Sequence, residues 1–144
     1  MADTPAVAGS RVLQCVVVTP ERAVLDEPAE FVALPMYDGE LGVLPGRAPL
    51  IGRLGVGELR LLQHGAARRF FVDGGFAQVR GDTVTVLTNK AVPAGEIDAA
   101  VANQQLAAAQ ASMAKTPEEQ QAREKAERRA RAMIRVAEKT GEHA

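Results

Sequence analysis

The sequence predicts an α+β chain, in which an N-terminal β-domain of many short strands, a sandwich or a barrel, is followed by a C-terminal antiparallel two-helix hairpin. Three observations carry that expectation. β-Branched and apolar runs recur at short intervals in the first two-thirds of the chain, separated by residues that favour reversals. At Pro93 the β-branched residues thin out and alanine and charge take over, which divides the chain into residues 1–92 and 93–144. Finally, Thr116-Pro-Glu-Glu119 has the chemistry of a helix start: a hydroxyl at N-cap, proline at the first helical position, and a glutamate able to complete a capping box.

Taken in order, residues 1–10 are small and expected to be disordered, without the basic start and apolar stretch of a signal peptide. Residues 12–19 are β-branched and stop at Pro20. Further strand-like runs span 23–25, 30–34, 41–44, 59–63, 68–72, 76–80 and 83–88. His64-Gly65, Asp73-Gly74-Gly75 and Gly81-Asp82 are placed as reversals between them, because Gly and Asp tolerate left-handed backbone. In residues 83–88 Val84 and Val86 alternate with hydroxyl residues, so one sheet face is buried and the other wet. Phe70, Phe71, Val72 and Phe76 supply core bulk.

Residues 96–114 are alanine-rich and read as a first helix, with Ile97 and Val101 on one face and a small-residue stripe at Ala100, Ala107, Ala111 and Ala114. The second helix follows a tight Lys115-Thr116 link and carries the stripe Ala122, Ala126, Ala130, Met133 and Ala137. Glu119/Arg123, Glu124/Arg128 and Glu127/Arg131 stand in the favourable acid-first i,i+4 order, and Gly141 offers a stop. Two alanine faces bury little area, so the hairpin is expected to detach or extend at modest cost.

Composition excludes several functions. The chain has 144 residues, 47% of them apolar, enough for a core, yet only 3% aromatic with no Trp, so stacking platforms for bases or sugars are not expected. A formal net charge of −1 supplies no field for nucleic acid. The single Cys15 sits in an apolar run and reads as packing, with no disulfide framework. No apolar run is long enough to span a membrane, and the protein is expected to stay inside the cell.

Chemistry is also sparse. Ser10, Ser112, His64 and His143 lie in terminal, helical or turn segments and make no nucleophilic triad, so no catalytic residue is expected. No His/Cys/Asp cluster has metal spacing, and no cofactor is implied. Gly52-Arg-Leu-Gly-Val-Gly57 lacks the Lys-Ser/Thr of a phosphate loop and reads as turn glycines. Asp38 and Glu40 flank a turn residue, which favours loop solvation or a partner contact over acid–base work. Arg123, Arg128, Arg131 and Arg135 belong to a basic run of the kind that is usually a solvated face, the functional alternative being docking on an acidic partner surface.

The most distinctive stretch is Asp38-Gly-Glu-Leu-Gly-Val-Leu-Pro-Gly-Arg-Ala-Pro49, where Gly39, Gly42 and Gly46 permit special backbone and Pro45 and Pro49 fix φ. It reads as two turns with one short strand between them, and Gly74 and Gly75 are further structural turn positions.

In their order and spacing, Val18-Thr-Pro-Glu21, Gly39-Glu-Leu-Gly-Val-Leu-Pro-Gly46 with Ala48-Pro-Leu50, Gly57-Glu-Leu-Arg60, Val72-Asp-Gly-Gly-Phe76 and Val84-Thr-Val-Leu87 resemble the epsilon subunit of bacterial rotary ATP synthases, the counterpart of mitochondrial delta. The resemblance implies a flattened β-sandwich of about ten strands with a two-helix hairpin. It implies a non-catalytic rotor subunit of the central stalk that binds gamma and the membrane c-ring, peripheral at the cytoplasmic face of the inner membrane. Tyr37-Asp38-Gly39-Glu40 matches the ring-facing loop, with Glu40 as its principal contact. The hairpin is implied to extend along gamma and inhibit ATP hydrolysis through contacts of its basic helix with the alpha and beta subunits. A free-standing β-sandwich module for a ligand or protein is the alternative.

Two departures stand out. Arg47 occupies the place where many members have histidine, adding a fixed charge beside the ring-facing region. Where ATP-sensing members carry Ile/Leu-Asp-x-x-Arg-Ala, this chain reads Ile97-Asp98-Ala-Ala-Val101-Ala102, a remnant without the arginine, so ATP binding is expected to be weak or absent.

Overall fold

The computed structural model describes residues 12–142, with side chains for residues 12–137. The disorder expected for residues 1–10 and the fraying expected at His143 lie outside them. Eight strands come first: β1 (Leu13–Val18), β2 (Ala23–Ala29), β3 (Phe31–Met36), β4 (Gly39–Val43), β5 (Leu50–Gln63), β6 (Ala66–Arg80), β7 (Thr83–Leu87) and β8 (Ala91–Pro93). A single 3₁₀ turn, Ala94–Glu96, leads to helices α1 (Ala99–Ala111) and α2 (Pro117–Glu142).

The strands form one sheet in the order β2-β1-β7-β6-β5-β3-β4, with β8 added on β6. β1 and β3 are far apart in that order, yet Leu13, Cys15 and Val17 share one buried cluster with Val32, Leu34 and Val43. The sheet therefore folds over on itself into two layers with the core between them. β5 and β6 make this possible by serving both layers. The N-terminal half of β6 pairs β8 at Phe70–Val72 through Ala91, Val92 and Pro93, and its C-terminal half pairs β7.

This is why there are fewer strands than expected: at 14 and 15 residues, β5 and β6 run unbroken through positions read as turns. Asp73-Gly74-Gly75 is a bend inside β6, not a reversal. Gly75 has φ +109, and a Cβ there would lie 1.9 Å from the Leu87 carbonyl oxygen, so only glycine lets the strand pass. Gly52, Gly55 and Gly57 are likewise inside β5, where Cβ atoms would crowd Met36 and Pro35 of β3. Gly42 lies within β4, not in a turn, because the Phe31 ring occupies the space a side chain would need. His64-Gly65 and Gly81-Asp82 are true hairpin turns, all four residues having positive φ.

Three consecutive buried residues of β6 reveal how the helices attach. Phe70 and Val72 point into the sandwich, whereas Phe71 points out and is fully buried in a second cluster with Ala94, Ala102, Ala132, Met133 and Val136. The hairpin is thus seated on the outer face of one layer.

The helices differ in detail from expectation. α1 begins at residue 99, because the Asp98 carboxylate caps it, accepting from the Ala100 and Val101 amides at 3.0 and 3.3 Å. Ile97 consequently precedes the helix and packs beside the second cluster, while Val101 is exposed. The buried face of α1 is Ala102 and Ala109, not Ala100, Ala107 and Ala111, which are exposed. The expected stripe on α2 holds at Ala130 and Met133, but Ala122 is exposed and Ala132 and Val136 add a second buried face toward the sheet.

The capping box forms: Thr116 Oγ1 accepts from the Glu119 amide at 3.1 Å, and Glu119 Oε1 accepts from the Lys115 and Thr116 amides at 2.8 and 3.1 Å. That occupies Glu119, so Arg123 pairs forward with Glu127 at 3.6 Å instead. α2 continues through Gly141, which does not stop it; one glycine costs only about 1 kcal/mol in a helix.

Candidate functional site

The turn–strand–turn over residues 38–49 is present: Tyr37-Asp38 form the turn between β3 and β4, β4 is the short strand, and Pro45-Gly46 form the second turn. Gly39 at φ +139 and Gly46 at φ +87 adopt backbone that disfavours other residues. The Gly46 amide donates to Asp82 Oδ1 at 2.7 Å, tying this turn to the turn between β6 and β7. Pro49 enters β5 from an extended segment.

The first turn is held at both ends by arginines of β5. The Tyr37 amide donates to the Arg53 carbonyl at 2.8 Å, and the Arg53 guanidinium lies 4.2 Å above the Tyr37 ring. Tyr37 remains 66% exposed, so its other face is presented outward. Glu40 lies 3.6 Å from Arg60, which also pairs with Glu58 at 3.1 Å, and Glu58 in turn pairs with Arg69 at 3.3 Å. An exposed carboxylate in such a chain is positioned more than it is stabilised.

Tyr37, Asp38, Gly39, Glu40 and Arg47 line one open groove of about 690 Å³. The structure thus brings together every residue the sequence assigned to this loop, Arg47 included. Beside it lies an apolar patch: Ile51 is 72% exposed, and Phe76, read as core, instead faces outward as the cross-strand neighbour of exposed Leu87. Strand alternation explains this, since the bend at Gly74-Gly75 resets which face Phe76 occupies.

At the other end, Arg129 of α2 pairs with Asp73 at 2.9 Å, joining the hairpin to the bend in β6. Arg128, Arg131 and Arg135 line a cavity between α2 and the sheet, while Arg123 lies apart with Glu127. Asp98 serves α1 as its cap and Ile97 serves the seat of the hairpin, so both remnant residues have structural duties here.

Sequence reading missed Arg53, Arg60 and the Asp73–Arg129 pair. The first two had a signal, since Arg53 and Arg60 alternate with Leu54, Leu59 and Leu61 and so face out of β5. Cys15 is buried, and burial, then Asp26 and Glu27, push its thiol up to about 12. Among the described residues no group of three His, Cys, Asp or Glu could hold a metal, and no helix is long and apolar enough to cross a membrane.

Residues 12–94 match the family described as ATP synthase, Delta/Epsilon chain, beta-sandwich domain. The chain belongs to that family. It is 55% identical over 124 residues to the ATP synthase epsilon chain of Rhodopirellula baltica, covering 86% of this chain and 97% of the relative. It is 41% identical to the epsilon chain of a Synechococcus species, covering 87% and 95%. Both matches extend the likeness to epsilon chains well beyond the sandwich and into the helices. The fold is shared with a chain in the Euglena gracilis mitochondrial ATP synthase, OSCP/F1/c-ring in rotational state 1, at TM-score 0.69 and 24% identity over 95% of this chain and 81% of that one. A chain of the Tetrahymena thermophila mitochondrial ATP synthase central stalk/c-ring also shares it, at TM-score 0.69 and 14% identity over 87% and 96%. Epsilon-family membership over nearly the whole chain leaves the free-standing binding module without support.

Proposed function

We propose that this epsilon chain is a non-catalytic rotor subunit of the ATP synthase central stalk: its sandwich binds gamma, its Tyr37–Glu40 turn seats on the c-ring, and it couples ion-driven rotation to ATP synthesis. The supporting observation is the way that turn is fixed, by an arginine stack on Tyr37 and an ion pair on Glu40, both from β5. A contact that transmits torque must not yield, and a turn braced on a strand spanning both sandwich layers meets that need. Arg47, in the same groove, adds a fixed positive charge to the contact.

The hairpin supports a second role, inhibition of ATP hydrolysis by α2 after it leaves the sandwich. Half of its six buried residues are alanines, with Phe71, Met133 and Val136 as the larger members, so release costs less than from a leucine seam of the same length. Arg123, Arg128, Arg131 and Arg135 would then meet acidic surface on the alpha and beta subunits. The subunit works peripherally at the cytoplasmic face of the membrane, held there through the complex.

The test is ATP hydrolysis by the assembled complex with this chain truncated after Glu96, which spares β8 and the 3₁₀ turn. Hydrolysis should rise while rotation-coupled synthesis persists, and unchanged hydrolysis would remove the inhibitory role. Co-purification of the full chain with gamma and the c-ring, weakened by Glu40→Gln with Tyr37→Ala, tests the coupling role separately.

A further inference from the structure

Two carboxylates reach for one nitrogen of Arg60. Its Nη1 donates to Glu58 Oε1 at 3.1 Å, while Glu40 Oε2 stands 3.6 Å from the same atom, outside hydrogen-bond range. Burial decides which carboxylate takes the bond. The Glu58 side chain is 10% exposed and must be paired, whereas that of Glu40 is 56% exposed and can be satisfied by water. Strand register adds a second reason. Arg60 of β5 and Arg69 of β6 are direct cross-strand neighbours, and like charges so placed repel unless a carboxylate lies between them. Glu58, two residues before Arg60 and so on the same face of β5, is that carboxylate: its Oε2 also pairs with Arg69 Nε at 3.3 Å. Among the described residues no protein donor lies within hydrogen-bond distance of the Glu40 carboxylate. Glu40 is therefore held by attraction to Arg60 while its acceptor sites stay open.

We infer that Glu58 is a positioning residue for Glu40: by taking the Arg60 hydrogen bond, it leaves Glu40 aimed but uncommitted, able to accept donors from a partner. This rests on the reading of the Tyr37–Glu40 turn as the contact with the c-ring. Without Glu58, the freed guanidinium turns to the nearest remaining carboxylate, Glu40, and its planar fork suits a bidentate pair there. Glu40 is then neutralised from within its own sheet, and a partner has to break that pair before binding. Without Arg60, Glu40 keeps its open lone pairs but loses its aim. Both losses weaken the contact by different routes. Glu58 reaches Glu40 only through the nitrogen they share, so the effect of removing Glu58 disappears once Arg60 is gone.

The experiment follows the full chain in two ways: the Glu40 side-chain carboxyl resonance in the free protein, and capture of solubilised c-ring by the chain bound to gamma. Glu58→Gln should shift the Glu40 resonance and weaken capture roughly two- to fivefold, the span that an exposed ion pair covers. In an Arg60→Gln background the same substitution should do neither. Arg69→Gln, which leaves Glu58 with Arg60, should alter neither readout. Phe71→Ala controls for the hairpin, because Arg135 of α2 lines a narrow cleft beside Glu58. A loss of capture there as large as in Glu58→Gln would assign the effect to α2 and overturn the inference. So would an unmoved Glu40 resonance in Glu58→Gln, or a Glu58→Gln effect that persists without Arg60. If Glu40→Gln left capture intact, the ring-contact reading would fail, and the resonance alone would then decide whether Glu58 governs Glu40. Should Glu58→Gln fail to fold, Glu58→Gln with Arg69→Gln takes its place, since it removes one charge of each sign.

Discussion

Replacing Phe71 by alanine should release the hairpin and leave the sandwich standing. Phe71 is completely buried, but on the far side of β6 from the main core, and its ring is the largest group in the cluster with Ala94, Ala102, Ala132, Met133 and Val136. Truncating a buried phenylalanine costs about 3–5 kcal/mol when the site cannot collapse. The three alanines of the cluster cannot extend into the space, and the cluster lies outside the sandwich core, so most of that loss falls on docking. At about 1.4 kcal/mol per tenfold, the docked-to-released ratio should drop by roughly two to three powers of ten. Amide hydrogen exchange on the full chain reads this directly. α2 amides should lose protection by about that factor, while β7 amides keep theirs, because Phe70 and Val72 still fill the sandwich. Phe70→Ala is the matched control, since it should lower protection in both regions together. If Phe71→Ala left α2 protection intact, or lowered β7 in equal proportion, the division into a firm sandwich and a separable hairpin would be wrong.

Gly75→Ala should destabilise the chain by at least about 2–3 kcal/mol in a urea melt, because its Cβ would meet the Leu87 carbonyl at 1.9 Å with φ at +109. Gly74→Ala, at φ +72 with nothing within 4 Å, should cost only about 1–2 kcal/mol, and equal effects at the two sites would refute the close-approach argument. The Cys15 thiol, pushed up to about 12 by burial, should resist iodoacetamide near pH 8 until the chain is unfolded; alkylation of the folded protein would contradict its burial. Glu27 is held below the usual carboxylate range by hydrogen bonds from Gln63 and Arg68. Its contribution is therefore complete above the unfolded glutamate value of about 4.3 and fades as pH falls through the folded one, so Glu27→Gln should flatten that acid limb of the stability curve.

Local chemistry carried most of the fold. The two left-handed hairpin turns and the Thr116 capping box rest on a few adjacent residues and formed as read, while most strand runs are present with longer bounds. What was misread depended on distant partners. Gly75 needs glycine because of a carbonyl twelve positions away, and Gly42 because of the ring of Phe31 on the next strand. A glycine demanded by crowding looks the same in sequence as one demanded by a turn, which is why β5 and β6 were cut short. The first helix starts three residues later than its alanine-rich stretch predicts, because Asp98 caps it from outside. In the candidate site, Tyr37, Asp38, Glu40 and Arg47 are grouped by the family resemblance, and they lie within one turn–strand–turn of the chain. Arg53, Arg60, Asp73 and Arg129 could not be grouped so, since strand pairing and hairpin docking alone bring them to their partners.

β6 links the two ends of the molecule. Within seven residues it supplies Phe70 to the sandwich core, Phe71 to the hairpin seat, Asp73 to the Arg129 pair, the bend at Gly74-Gly75, and Phe76 to the outer apolar patch. Across the ladder, Phe76 faces Arg53, which stacks on Tyr37. Release of the hairpin would free Phe71 and Asp73 while leaving Phe70, the bend and the Arg53 bracing in place, because those rest on contacts inside the sandwich. The bracing of the turn proposed to bear torque therefore does not depend on the helix proposed to inhibit, although Tyr37 and Arg53 line the cavity that α2 closes. A subunit that must stay coupled whether or not its hairpin is docked requires that separation, and alternation along one strand, with a glycine bend to reset it, is enough to provide it.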